Sequence, residues 1–449
     1  MAAIDYHSVV VVGAGISGLY AAQLLRLQFP DLLVVEAQDQ VGGRIKQVDG
    51  LVPWSVALGP EFVHGRHSAL VHYAQQLGVT FSEKEWPDRL WLGKEKKLMN
   101  EAQMDEDDEV KQLHKFFSTC AAEEIPLPGQ DVSALAWLKS KGATEKMLAV
   151  AEACHANDFS GPLGDIGLRE MIHEDRRWDF GETYLQMDRP MGALTAAMSQ
   201  GVAVRTSCPV MHVDYASEGP APVTLTCQDG RKIRCRAVVI TVPLPILQER
   251  VMSFSPQLPR AKQDAISRIK MGNVIKIILS FSERFWPEDM YDVVCTDSFV
   301  PEFWMLHYPH TDHSAGLGKY TVVGFVAGAQ VGLIQDKPHA ELVRRFTEQL
   351  DDIYGSATSH KPASLHLVKS HVIDWAKEPW VRGAYTYPSL NAEAHDREAL
   401  AAPVADCLFF AGEACNTDLN PCVHGAMDSA QVATVSLLLA LQPPSRARL

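Results

Sequence analysis

Residues 9–44 constrain this chain more than any other stretch. Val9-Val10-Val11-Val12 is an unbroken β-branched run, the pattern of a strand buried on both faces. Gly13-Ala14-Gly15-Ile16-Ser17-Gly18 follows at once and forms a G-x-G-x-x-G turn. A helix is expected next, with Ser17, Ala21, Leu24 and Leu25 on one face and Gln23 and Arg26 off it. In such a turn Gly13 permits the tight reversal, Gly15 lets a pyrophosphate approach the backbone, and Gly18 lets helix and strand pack closely. Unpaired N–H groups at the positive helix end then hold the pyrophosphate. A second apolar run, residues 32–35, ends in Glu36, whose carboxylate is placed to take ribose hydroxyls. The turn alone is a weak signal, because glycine-rich turns occur without ligands. Strand, turn, helix, strand and acid in this order predict a dinucleotide site.

A chain of 449 residues is expected to fold as two or three domains with a sizeable core. The net charge of −14 argues against nucleic acid as a partner, since phosphate recognition wants basic faces. That charge is compatible with a cationic substrate. The nine cysteines are scattered without C-x-x-C or metal-ligand spacing, so reduced thiols in an intracellular compartment and no metal are expected. Residues 1–7 are too short and polar for a signal peptide. The apolar segment 432–441 is about half a membrane span, so no anchor is expected.

Along the chain, a helical pattern covers residues 68–78. Residues 83–130 read as charged and irregular, with the acidic run 105–109 on a solvated face. Residues 131–175 read as helices broken at Gly142 and at Ser160-Gly161-Pro162. From residue 202 the pattern turns to β, with short strands at 202–205 and 209–213 and a hairpin around Asp229-Gly230. A buried strand at 237–241 stops at Pro243. A second sheet is predicted from 274–281, 320–327 and 365–375, with a helix at 338–354 between the last two. A buried strand at 407–412 and a closing helix at 425–441 complete the chain. No long linker separates halves, so interleaved domains are expected.

Gly42-Gly43-Arg44 stands at the spacing seen in flavin oxidoreductases of the glutathione-reductase type. That fingerprint, the Val242-Pro243-Leu244 step and Phe409-Phe410-Ala411-Gly412-Glu413 together resemble the flavin-containing amine oxidases, most of all the polyamine oxidases. The resemblance runs from Val9 to about Leu438 and implies an α/β plus α+β fold. A glutathione-reductase-like FAD domain (1–78, 190–250, 385–449) would interleave with a mixed-sheet and helical substrate domain (79–189, 251–384). Bound FAD is implied, with Gly13, Gly15, Ile16, Ser17, Gly18, Glu36, Ala37, Gly43, Arg44, Pro60, Glu61, Val210, Trp375, Gly412, Glu413, Cys422 and Val423 around it.

Within that resemblance, Arg44 helps hold the pyrophosphate, Val210 meets the adenine, and Glu413 meets the ribityl–phosphate region. The helix start Val423-His424-Gly425-Ala426 lies near the flavin C2 carbonyl, where its positive end stabilises the anionic reduced flavin. Lys276 is a charge within the apolar run Val274-Ile275-Lys276-Ile277-Ile278-Leu279. The resemblance makes it the lysine that holds a water against flavin N5; an edge-strand lysine facing solvent is the alternative. Trp375 and Tyr385 match the aromatic wall before the flavin, although either is compatible with a plain core role. His64 matches the histidine at the active-site mouth. Ala384 stands where monoamine oxidases carry the cysteine bonded to flavin, so non-covalent FAD is implied. Cys422 replaces a second cage tyrosine. Glu61 places a carboxylate near the flavin, either for a substrate ammonium or within an internal ion pair.

The resemblance thus implies an oxidase of polyamines or similar secondary amines, with dioxygen as acceptor and hydrogen peroxide as product. A histone demethylase would need an extra helical docking domain, and no long coiled-coil insertion is present. An L-amino-acid oxidase would need an arginine for the carboxylate, for which Arg189 and Arg382 are available. A flavin-bearing binding protein is the non-enzymatic alternative. Residues 443–449, Pro-Pro-Ser-Arg-Ala-Arg-Leu, read as a mobile tail. Ala447-Arg448-Leu449 resembles the Ser-Lys-Leu address read by the peroxisomal import receptor, so a peroxisomal enzyme is expected, with the cytoplasm as the alternative.

Overall fold

The computed structural model describes residues 5–84, 88–127, 129–178, 183–216, 219–306, 320–393, 395–416 and 422–442. It is a mixed α/β fold built on several sheets, the largest of eight strands. At the centre of that sheet the strand Asp5–Val12 pairs in parallel with Leu33–Val35 on one side and Lys232–Ile240 on the other. Ala203–Arg205 extends it in parallel beyond Leu33–Val35. The expected hairpin arm and buried strand are one element, Lys232–Ile240. Its first half pairs antiparallel with Val223–Cys227, and its last three residues pair in parallel with Leu408–Phe410. Three distant parts of the sequence therefore meet in one sheet. Val9, Val10, Val11, Val238, Val239 and Leu408 are fully buried, as the unbroken β-branched runs require.

The first helix, Ile16–Leu25, lies against both this sheet and the last helix, Val423–Ala440. Leu19, Ala21, Ala22 and Leu25 are inaccessible. Leu24, expected on the inner face, is 37% exposed. The helix is buried from two directions, so the inner surface is set by Leu19 and Ala22 as well as Ala21 and Leu25, and Leu24 is left outside. Gly18 explains how closely this helix approaches the strand: a Cβ there would lie 1.9 Å from the Gly13 carbonyl oxygen and 2.8 Å from Thr241 Oγ1. Gly13 itself has φ +106°, a conformation that favours glycine.

A second sheet has seven strands, ordered Leu367–Asp374, Ile275–Phe281, Tyr320–Val326, Glu302–Leu306, Asp292–Thr296, Arg89–Leu92 and Lys97–Asn100. Ile275–Phe281 is an interior strand with neighbours on both sides and every residue buried. The edge-strand alternative for Lys276 is thereby overturned. Residues 83–130 are also more ordered than their charge suggested. They supply the two strands just named and the helices Glu101–Glu106 and Asp108–Ser118. Asn100 and Gln103 form a capping box on the first helix, and Asp107 caps the second through the amides of Glu109 and Val110. Within the acidic run, therefore, Asp107 is a helix cap.

Among the described residues no helix is long and apolar enough to cross a membrane, and no His/Cys/Asp/Glu group has the arrangement of a metal site. The address expected at Ala447-Arg448-Leu449 lies outside the described residues. Gly18→Ala is expected to destabilise the fold by about 2 kcal/mol or more, because the Gly13 backbone must move to admit the methyl group. The midpoint and slope of urea unfolding measure this.

Candidate active site

A cleft with about 1370 Å³ of empty space, open solvent at its mouth included, is lined by residues of both large sheets. Its wall is drawn from Gly13, Gly15, Ile16, Ser17, Glu36, Ala37, Gly43, Arg44, Pro60, Val210, Lys276, Trp375, Tyr385, Gly412, Glu413, Cys422 and Val423, all expected from the sequence. Three expected residues stand behind the wall: Gly18, Glu61 and His64 are not part of it.

One end is made of backbone. The helix Ile16–Leu25 starts at Gly15 with no side-chain cap and no acid in its first turn, leaving its first amides for a ligand. Ser17 Oγ is buried there without a hydrogen-bond partner among the described residues. The second glycine loop crosses directly over this turn. Gly42 N donates to the Ala14 carbonyl at 2.8 Å, and a Cβ on Gly43, at φ +58°, would sit 3.3 Å from Gly15 Cα. Glu36 accepts from the amides of Ala14 (2.6 Å) and Gln38 (2.9 Å). Burial pushes its carboxyl above the usual range, and those backbone bonds oppose the shift. Glu36 therefore braces the glycine turn from within the wall that the sequence assigns to the ribose.

The middle of the cavity is held by charge. Arg44 Nη1 donates to the Ala384 carbonyl (2.7 Å) and to Glu413 Oε1 (2.8 Å). Glu413 Oε2 accepts from the Thr386 hydroxyl at 2.6 Å. Behind them, buried Arg397 donates to Thr386 Oγ1 (3.1 Å) and to Glu170 (2.8 Å). Arg44 and Glu413 are thus fixed by a network reaching residues 340 and more positions apart in sequence. The helix Val423–Ala440 starts at Cys422, again without a side-chain cap, and brings a second positive helix end to the wall.

At the other end stands Lys276. Its Nζ donates to the Gly59 carbonyl (2.6 Å) and to Glu61 Oε2 (2.7 Å), and lies 4.9 Å from the centre of the Trp304 ring. Glu61 Oε2 also accepts from Trp304 Nε1 at 3.0 Å. Both side chains of the pair are at least 96% buried, with relative exposures of 4% and 1%. Of the two roles open to Glu61, the structure realises the internal ion pair. Trp375 Nε1 donates to the Leu58 carbonyl (3.1 Å), and the Tyr385 hydroxyl donates to the Asp158 carbonyl (2.8 Å). Both rings line the cavity. His64 packs edge-on against Tyr184, ring centres 4.8 Å apart, and burial lowers its imidazole to about 4. It is therefore neutral at physiological pH.

Asp158, Trp304, Phe325 and Trp380 were not anticipated. Phe325 pairs directly with Lys276 across the sheet, a contact visible only once the strand register is known. Asp158 follows a one-turn π-helix, Glu152–Ala156, a distortion often found at functional sites. Asp158 is exposed and stands outside the cavity wall, and desolvation by the surrounding chain raises its carboxyl to about 6. Its charge is felt by Tyr385, Tyr184 and Cys422.

The glycine crossing, the Ser17 hydroxyl without a partner among the described residues and two uncapped helix ends fit a pyrophosphate-linked dinucleotide, and the same wall runs on to Lys276. Residues 16–438 match the family model of flavin containing amine oxidoreductases. Among curated proteins, human lysine-specific histone demethylase 2 is 25% identical, covering 94% of this chain and 52% of its own length. Polyamine oxidase 3 of Oryza sativa subsp. japonica is 26% identical, covering 95% and 88%. The chain spans about half the length of the demethylases it matches. Cyclohexylamine oxidase from Brevibacterium oxydans shares the fold at a TM-score of 0.81, with 20% identity over 97% of this chain and 100% of that one.

Glu61→Ala leaves the Lys276 ammonium buried without its carboxylate. A loss of about 3–5 kcal/mol of unfolding free energy is expected. The double change Glu61→Leu with Lys276→Met, which removes both charges, is expected to cost less than that single change. Urea unfolding of the three variants measures the difference.

Proposed function

The chain belongs to the flavin-containing amine oxidoreductases, and from that premise we propose that it oxidises a polyamine or a related secondary amine with dioxygen as acceptor. FAD is its cofactor. When bound, FAD would supply the redox chemistry, a two-electron oxidation of the amine at the carbon next to its nitrogen with dioxygen as the final acceptor and hydrogen peroxide as product. The remaining work falls to the chain.

The Ile16–Leu25 helix end, Ser17 and the crossed glycines would hold the pyrophosphate, with Arg44 fixed beside it by Glu413. Lys276 commits two of its three N–H donors to Gly59 and Glu61, leaving one for the cavity it lines. A water held on that donor is the role we assign to it. Trp375 and Tyr385 exclude solvent from the amine. Such an amine, with an ordinary pKa of about 10, loses its proton more readily once desolvated. Ala384 offers no atom for a covalent bond to the flavin, and burial holds the Cys422 thiol well above its usual range. Both support non-covalent FAD. The proposal includes a division of the chain into a cofactor-holding part and a substrate-facing part.

One observation carries the preference for a polycation: exposed Asp158 stands next to the cavity wall, its carbonyl accepting from the wall residue Tyr385 at 2.8 Å. With Glu61 engaged by Lys276, Asp158 is the carboxylate we assign to a distal ammonium. A second reading is demethylation of an N-methylated lysine side chain. It is favoured by the demethylases among the relatives, whose identities match that of the polyamine oxidase.

A panel of spermine, spermidine, their acetylated forms, benzylamine, cyclohexylamine and a methyl-lysine peptide, scored for peroxide release, tests both. Polyamines are expected to exceed benzylamine by at least about tenfold in kcat/KM, about 1.4 kcal/mol of barrier. The reverse order would overturn the polyamine reading, and turnover of the peptide alone would establish the second. Because Asp158 becomes a carboxylate as pH rises through about 6, KM for a polyamine is expected to fall across that range. Asp158→Asn should abolish that limb while leaving FAD bound.

A further inference from the structure

Cys208 and Cys227 lie with their sulfurs 3.1 Å apart, both buried at 1% and 3% exposure and both free thiols. Among the described cysteines this is the one pair in sulfur–sulfur contact with a place at the cofactor cavity, because Cys208 forms part of its wall. The segment around Cys208 is tied to the ribose-side strand end: Ser207 N donates to the Gln38 carbonyl (2.7 Å) and Cys208 N to the Glu36 carbonyl (2.8 Å). Cys227 ends the strand Val223–Cys227, pairs with Val210, and is followed by Gln228, whose amide donates to the Pro209 carbonyl (2.9 Å). Backbone bonds therefore hold both sulfur-bearing segments in register, and Val210 of the cavity wall lies between them.

We propose that Cys208 and Cys227 form a reversible disulfide under peroxide, and that this bond clamps the cavity wall against release of the cofactor. One sulfur attacks a peroxide oxygen; the O–O bond breaks, and a sulfenic acid and one water form. The second thiol attacks the sulfenic sulfur, the S–S bond forms, and a second water leaves. Two electrons pass from the two thiols to one peroxide, and the two thiol protons end in the two waters. Burial, reinforced by the contact with Cys208, pushes the Cys227 thiol up to about 12. The Cys227 thiolate is therefore scarce at neutral pH, and attack from that sulfur is slow there and faster as pH rises. The inference stands apart from the oxidase reading, since the oxidant can be added.

The test treats FAD-loaded protein with graded hydrogen peroxide, alkylates remaining thiols under denaturing conditions, and maps peptides by mass with and without dithiothreitol. After cleavage on the carboxyl side of Glu218, which lies between the two cysteines in sequence, one joined peptide pair carrying Cys208 and Cys227 is expected, separated again by dithiothreitol. Release of FAD from the oxidised protein, followed by flavin fluorescence, should slow by at least about threefold, because a restrained wall opens less readily. Cys227→Ser should show neither the joined peptides nor the slowing. Separate alkylation of both cysteines after peroxide, or their pairing with other cysteines, would overturn the bond. Joined peptides with unchanged FAD release would overturn the clamp. If Cys227→Ser does not fold, the wild-type map decides alone.

Discussion

The site depends on how closely one helix can approach one strand. A Cβ at Gly18 would fall 1.9 Å from the Gly13 carbonyl oxygen, so the absence of a side chain there brings the first turn of Ile16–Leu25 onto the end of Asp5–Val12. That approach points uncapped amides and the Ser17 hydroxyl into the cavity. It also brings the second glycine loop across Gly15, where even a methyl group on Gly43 would crowd the backbone. Once this crossing exists, the carboxyl ends of the central parallel strands must border a groove shaped for phosphate.

The other half of the site is brought in by charge burial. Lys276 and Glu61 belong to segments 215 residues apart, and neither is tolerable alone in an apolar interior. Pairing them, with Trp304 and the Gly59 carbonyl completing the contacts, locks the seven-stranded sheet against the segment that follows the glycine loops. The Arg44–Glu413–Thr386–Arg397 chain does the same at the middle of the cavity. Two polar networks thus fix the distance between the phosphate-binding turn and the aromatic wall. That distance decides where a bound ring system must lie.

Much of this was legible in the sequence, for a physical reason. The glycine turn, Glu36 and Arg44 act through backbone conformation close to themselves, so local spacing reveals them. Lys276 is visible because a charge in an apolar run requires a partner. The partner's identity was not legible: Glu61 was open between substrate and ion pair until the fold placed Lys276 and Trp304 against it. Asp158 gave no signal at all, since its place depends on a π-turn and on Tyr385 arriving from 227 residues away. Residues 83–130 misled because dense charge read as irregular chain, whereas Asn100 and Asp107 spend polar groups on helix ends. Leu24 misled because one inner face was assumed where the fold supplies two.

The central claim is that this cavity presents a flavin to an amine beside Lys276. Anaerobic mixing of the purified yellow protein with spermine, followed at the flavin absorbance band, tests it most directly. Bleaching of the band in wild type, slowed by at least about tenfold in Lys276→Met or followed there by slower recovery on admitting air, is the predicted result. A flavin that polyamines and other amines leave fully oxidised, or equal rates in both proteins for both steps, would contradict it.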